Sequence, residues 1–136
     1  MTVKDTNAMI ASMTPVLTEG LWVYCVEPDP ARSTPLIRNA FAMIREAEGI
    51  TLILPTSVAA EAGYDCTLSM RLITLNVFSD LEGIGLTAAV AQALTQAGIS
   101  CNVVAAYHHD HVFVPETDAE RALAALQDCQ RSAENI

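Results

Sequence analysis

The octapeptides PTSVAAEA (55–62) and PETDAERA (115–122) share the pattern P-x-[ST]-x-A-x-x-A at an offset of 60 residues. At the same offset AFAMIREAEGITLIL (40–54) falls on SCNVVAAYHHDHVFV (100–114). Each of these runs reads as two strands about a turn: 40–46 with 50–54 across Glu48-Gly49, and 101–107 with 111–114 across His108-His109-Asp110. The chain therefore carries two related strand–turn–strand–Pro–helix units. Its 136 residues leave room for one domain or two very small ones.

The second unit is the more regular. RLITLNVF (71–78) alternates in its apolar residues and reads as a strand, and SDLEGIG then turns the chain. From Ile84 to Ala97 the residues Leu86, Val90, Ala93, Leu94 and Ala97 recur on one helical face, and Gly98 is placed to end the helix. Thr117-Asp118-Ala119-Glu120 reads as a capping box that opens a second helix with Ala119, Ala122, Leu123, Leu126 and Cys129 on one face. The order from Arg71 onward is β-α-β-β-α, the ferredoxin-like unit without its final strand.

In the first half a short helix is predicted over residues 3–12, with Met9, Ile10 and Met13 pointing inward. LWVYCVE (21–27) reads as a strand and TSVAAEAG (56–63) as a short helix. PDPARSTP (28–35) reads as a loop, because its three prolines forbid regular pairing. In CTLSMRLITLNVF the apolar face runs Cys66, Leu68, Met70, Leu72 and then shifts to Ile73, Leu75, Val77. A one-residue shift flips a strand's face. That calls for a bulge near Leu72 or for a strand that ends one unit and begins the next, and we favour the shared strand. The expected fold is α+β: two abbreviated ferredoxin-like βαββα units, 1–70 and 71–136, sharing a strand, with an antiparallel sheet and helices on one face.

Several strands are apolar on both faces. Val103, Ala105 and Tyr107 alternate with Val104 and Ala106, and Trp22 and Tyr24 with Val23 and Cys25. Helices cover one face, and a second copy of the chain could cover the other. Charged residues make up only 17% of the chain, against a usual share of about a quarter. A homodimer or higher even oligomer is therefore expected. A net charge of −9 repels phosphate backbones and anionic lipid, so neither nucleic acid nor a membrane surface is an expected partner. No apolar run approaches the roughly 18 residues that span a bilayer. The start, MTVKDTNAMIASM, has one lysine and no long apolar core and does not read as a signal peptide, so the cytoplasm is the expected location. Cys25, Cys66, Cys101 and Cys129 form no CxxC pair and read as small buried thiols.

FSDLEGIGLTAAVAQALTQAGISCNVVAAYHHDHVFVP (78–115) closely resembles the C-terminal unit of small bacterial proteins with paired ACT domains. Asp80, Gly83, Gly98 and Ile99 stand at the landmarks of that pattern. The resemblance covers about residues 71–126 and extends more weakly to EGITLILP (48–55). It departs from the family in having no strand after the second helix. It implies a regulatory module of a kind that often binds an amino acid or a related carboxylate at an interface between modules; a non-enzymatic protein without a cofactor is the expected reading.

The chemistry of the loops is compatible with that ligand. Gly83 and Gly85, with Ile84 between them, flank the start of a helix, where unpaired N–H groups and a partial positive charge suit a carboxylate. Asp80, Glu82 and Asp110 are candidates to hold an ammonium group, and Asn102 can supply a donor or an acceptor. His109 and His111 would share a face if strand geometry continues through Asp110, and two imidazoles with a carboxylate could ligate zinc or iron. No fourth ligand and no HExxH helix accompany them, so no metal site is expected, and the hairpin reads as a turn bordering a ligand site or an intersubunit surface. Two alternatives stand beside ligand binding: a structural or interaction module without a ligand, and a metal-dependent enzyme built on His108–His111.

Overall fold

The computed structural model describes residues 5–77 and 83–134. Its elements, in chain order, are α1 (Thr6–Ala11), β1 (Pro15–Leu17), β2 (Trp22–Glu27), α2 (Pro30–Ser33), β3 (Ala42–Glu46), β4 (Gly49–Pro55), α3 (Thr56–Glu61), β5 (Met70–Leu75), α4 (Leu86–Gln96), β6 (Asn102–Ala105), β7 (Asp110–Pro115) and α5 (Ala119–Glu134). Short 3-10 turns occupy Thr34–Asn39 and Glu116–Asp118. Contacts divide the chain into two units. One is Gly20–Met70; the other joins the residues up to Glu19 with those from Arg71 onward.

In the unit Gly20–Met70 the strands lie in the order β3-β4-β2, and Met70 pairs antiparallel with Trp22 at the free side of β2. Alternate residues of β2 are buried, namely Val23, Cys25 and Glu27. Val23 and Cys25 form a core with Leu52, Leu54 and Ala59. The segment 28–39, expected as a loop, is helical. Asp29 caps α2 by accepting a hydrogen bond from the Ala31 N–H at 2.9 Å, and prolines stand in the first turns of α2 and of the following 3-10 turn. Proline is tolerated there because no backbone N–H is needed in a first turn. This helical segment completes a β-α-β-β-α-β order.

In the other unit the sheet order is β1-β5-β7-β6. The core gathers Ile73, Leu75 and Val77, Leu86, Val90 and Leu94 of α4, Val112 and Val114 of β7, and Ala122 and Leu126 of α5. The missing final strand is supplied by β1, which pairs antiparallel with β5 at Pro15–Leu75, Val16–Thr74 and Leu17–Ile73. The amino-terminal segment, assigned above to the first half, thus closes the sheet of the second, with Met9 and Met13 buried in its core. Leu72 and Ile73 are both buried, which accounts for the change of apolar face within β5. The chain passes from one unit to the other inside that strand: Met70 pairs with Trp22, and Ile73 to Leu75 pair with β1.

The repeat holds at the level of individual backbone pairs. Ala42–Ile53, Met43–Leu52, Ile44–Thr51 and Arg45–Ile50 recur as Asn102–Phe113, Val103–Val112, Val104–His111 and Ala105–Asp110. Pro55 (φ −55°, ψ 140°) and Pro115 (φ −54°, ψ 140°) turn the chain alike into α3 and into the 3-10 turn before α5. Ala59 and Ala119 are then both buried. The expected capping box does not form. Thr117 lies within that 3-10 turn rather than ahead of the helix, and no side chain caps the turn.

Candidate functional site

A cavity of about 490 Å³ opens in the unit that contains α4. On one side it is bounded by Gly83, Gly85, Leu86, Thr87, Ala88 and Ala91, and on the other by Ala105, Ala106 and Asp110 of the β6–β7 hairpin, with Met9 of α1 closing it. The space exists because the walls are small: four of these residues are alanine and two are glycine.

Gly85 is the N-cap of α4, at φ +104°, with no side chain capping the helix. Only glycine adopts this angle without strain. A Cβ there would also stand 2.7 Å from Thr6 Cγ2. Thr6 fastens the loop from above, its hydroxyl donating to the Ile84 carbonyl. The first turn of α4, Leu86 to Ala88, lines the cavity, so its unpaired N–H groups and partial positive charge lie at the wall.

Asp110 supplies the opposite charge. In a strand, residues two apart share a face, and Asp110 heads the row Val112, Val114 that enters the core. Only 7% of it is exposed. Among the described residues none donates a hydrogen bond to its carboxylate. Burial pushes the Asp110 carboxyl above its ordinary value, and nearby His111 opposes this more weakly. The cavity thus sets a partial positive charge and a buried acid against each other.

Glu27 of the other unit shows what a satisfied buried carboxylate looks like. It accepts from the Tyr64 hydroxyl at 2.5 Å and from the Asp29 N–H at 3.0 Å, with Arg32 at 3.5 Å. The Tyr64 bond first, then the Asp29 N–H, hold Glu27 below its ordinary value. Burial, with the Glu27 contact second, pushes Tyr64 up to about 12. Among the described residues Asp110 has no comparable donors.

The remaining sequence candidates divide. Gly83, Gly85 and Asp110 line the cavity. Ile84 is 80% exposed and does not line it. Asn102, paired with Phe113, stands at the far end of β6 from the hairpin turn and does not reach the cavity. His109 and His111 do not line it either. The Nδ1–H of His109 donates to the Val77 carbonyl at 3.2 Å, and Nδ1 of His111 lies 3.2 Å from the Thr74 hydroxyl. Burial, then the neighbouring His109, hold His111 below its ordinary value, with Asp110 opposing. Asp80 and Glu82 lie outside the described residues. Among the described residues no three His, Cys, Asp or Glu side chains are gathered so that they could hold a metal. Met9, Leu86, Thr87, Ala88, Ala91, Ala105 and Ala106 were not foreseen, and the small residues beside the glycine turn and the hairpin were their one visible sign. A larger, more open hollow of about 590 Å³ between α4 and α5 is bordered by Gln92, Gln96, Asp128 and Ser132. Its acid, Asp128, has an exposed side chain paired with Arg131.

Two family models, each describing an ACT domain, match the chain, one over residues 2–71 and one over 69–128. The chain belongs to the ACT domain family. Over 91% of its length and 94% of the other chain it is 40% identical to a Vibrio cholerae protein of unknown function described as a possible transport protein, with a TM-score of 0.81. The ACT fold is also similar to the ligand-free regulatory subunit of aspartate kinase from Thermus thermophilus, at 13% identity and TM-score 0.64 over 87% of this chain and 97% of that one. Aspartate kinase from Clostridium acetobutylicum matches at 11% identity and TM-score 0.65, over 87% of this chain and 34% of the kinase. No curated protein matches the chain. The paired ACT units are α+β and ferredoxin-like; β1 completes the sheet of one unit, and in the other the single residue Met70, at the start of β5, pairs with Trp22 of β2. No helix among the described residues is long and apolar enough to cross a membrane.

Proposed function

We propose that this ACT-domain protein is a non-catalytic regulatory protein that binds a free amino acid in the cavity between the start of α4 and the β6–β7 hairpin. The ligand carboxylate takes the N–H groups of the first turn of α4, and its ammonium takes Asp110. The observation that carries this reading is Asp110 itself. An acid with 7% exposure and no donor among the described residues is costly unless something cationic meets it. An α-amino acid is the smallest common metabolite that offers a cation to the acid and an anion to the helix terminus at once.

The output of binding is a change in self-association. Ile84 and Tyr107 adjoin lining residues and are 80% and 74% exposed, which supports a second copy covering the mouth of the site. Such an arrangement would make the site part of an interface within a cytoplasmic homodimer.

A thermal-shift screen with the twenty amino acids tests the reading. A ligand at about 100 times its Kd stabilises the native state by about 2.7 kcal/mol, a rise of several degrees in Tm for a chain of this size. No rise with any amino acid at millimolar concentration would leave the structural module as the better account.

A further inference from the structure

We infer that the ligand side chain is uncharged and aliphatic, and that Met9 and Ala91 set its size. This rests on the amino-acid reading above and narrows it. Once the ligand carboxylate faces the start of α4, where Thr87 stands, and its ammonium faces Asp110, Met9, Leu86, Ala91 and Ala105 remain among the described walls for the side chain, and these four are carbon or thioether surface.

No lysine or arginine stands among the described residues that line the cavity, so none faces a second carboxylate there. Arg71 donates to the Thr18 carbonyl at 3.0 and 3.3 Å. Arg121 donates to the Ala97 carbonyl and to Asp118, both at 3.1 Å, and Arg131 pairs with Asp128. An acidic ligand would bury an unpaired anion in a chain already carrying −9. A lysine-like ligand would need a second acid, and among the described lining residues Asp110 stands alone. The volume, about 490 Å³, falls within the range of small-molecule sites, roughly 300–1,000 Å³.

Met9 is placed by a fixed element. The Asn7 side chain donates to the Ala133 carbonyl at 3.3 Å, and Gln130 to the Ala11 carbonyl at 2.9 Å, fastening α1 to α5. Thr6 ties the same helix to the loop at Ile84. The flexible thioether of Met9 can then fit an aliphatic group of variable length.

Calorimetry on the full chain with glycine, alanine, valine, leucine, methionine, aspartate and lysine tests the inference. Affinity should rise about fourfold per added methylene until the cavity is full. Aspartate and lysine should bind at least tenfold more weakly than the best aliphatic ligand. Ala91→Leu fills the cavity and should weaken leucine far more than alanine; Met9→Leu, a volume-conserving change that stiffens the wall, should lower the affinity of the longer aliphatic ligands. Melting curves establish that both variants are folded, and whichever is folded carries the test. Tighter binding of lysine or aspartate than of leucine would overturn the side-chain assignment and leave the amino-acid reading standing. Unchanged leucine affinity in a folded variant would likewise overturn it. No binding of any amino acid to folded wild type would overturn both.

Discussion

Asp110→Asn should make the ligand-free protein more stable and the ligand bind worse. The two effects have one cause. Asp110 as a residue is 7% exposed, no described residue donates to its carboxylate, and burial raises its pKa, so its charged form is disfavoured in the folded state. An acid whose folded pKa lies above its unfolded value contributes most stability below the unfolded pKa. That contribution is lost as pH rises through the folded pKa, so at neutral pH the charge is a net cost. Asparagine keeps the shape and removes the charge. Relief of a strained functional position commonly gives about 0.5–2 kcal/mol, or roughly 2–8 °C in Tm for a chain between the small and medium size classes. Binding loses a charge-assisted hydrogen bond of about 1.5–3 kcal/mol, which is about 10- to 150-fold in Kd. The assays are thermal melts of both proteins without ligand from pH 3 to 8, and calorimetry at pH 7. The stability gap should be widest at neutral pH and close as the medium becomes acidic. A variant that loses stability at pH 7 would refute the reasoning, because Asp110 would then be a structural acceptor.

Gly85→Ala should destabilise the fold by about 1–3 kcal/mol through its φ of +104° and the Thr6 contact, read as a lower denaturant midpoint. Met13→Ala removes a fully buried side chain of the segment that leads into β1 and should cost about 2–5 kcal/mol by the same measurement. Glu27 titrates below its ordinary value, so its contribution to stability is present above the unfolded pKa and lost as pH falls through the folded one. Tyr64→Phe removes the main cause, and acid unfolding of that variant should begin at higher pH, as followed by circular dichroism. Paired Ile84→Ser and Tyr107→Ser substitutions should weaken self-association in sedimentation velocity, since both side chains are exposed beside the cavity.

Much of the fold was legible because the repeat at an offset of 60 residues carries strand register with it, down to Met43–Leu52 and Val103–Val112. The shared strand was legible from the change of face at Leu72 and Ile73. β1 was not. Three residues opening on proline carry no periodicity, and their partners lie in β5, far along the chain. The helical turn after Asp29 was hidden by prolines that occupy first-turn positions. At the site, Asp110 could be placed by counting back in twos from Val114 and Val112, whereas the conspicuous histidines beside it do not line the cavity. Met9 was invisible as a site residue, because only the tertiary fold brings α1 to the start of α4.

The most direct test of the central claim is an amide chemical-shift titration with leucine, using isotopically labelled full-length protein. The account predicts saturable shifts concentrated at Gly83, Gly85, Thr87, Ala88, Ala106 and Asp110, with Met9 responding in the methyl spectrum. Shifts centred instead on Gln92, Asp128 and Cys129 would place the ligand in the hollow between α4 and α5 and contradict the account.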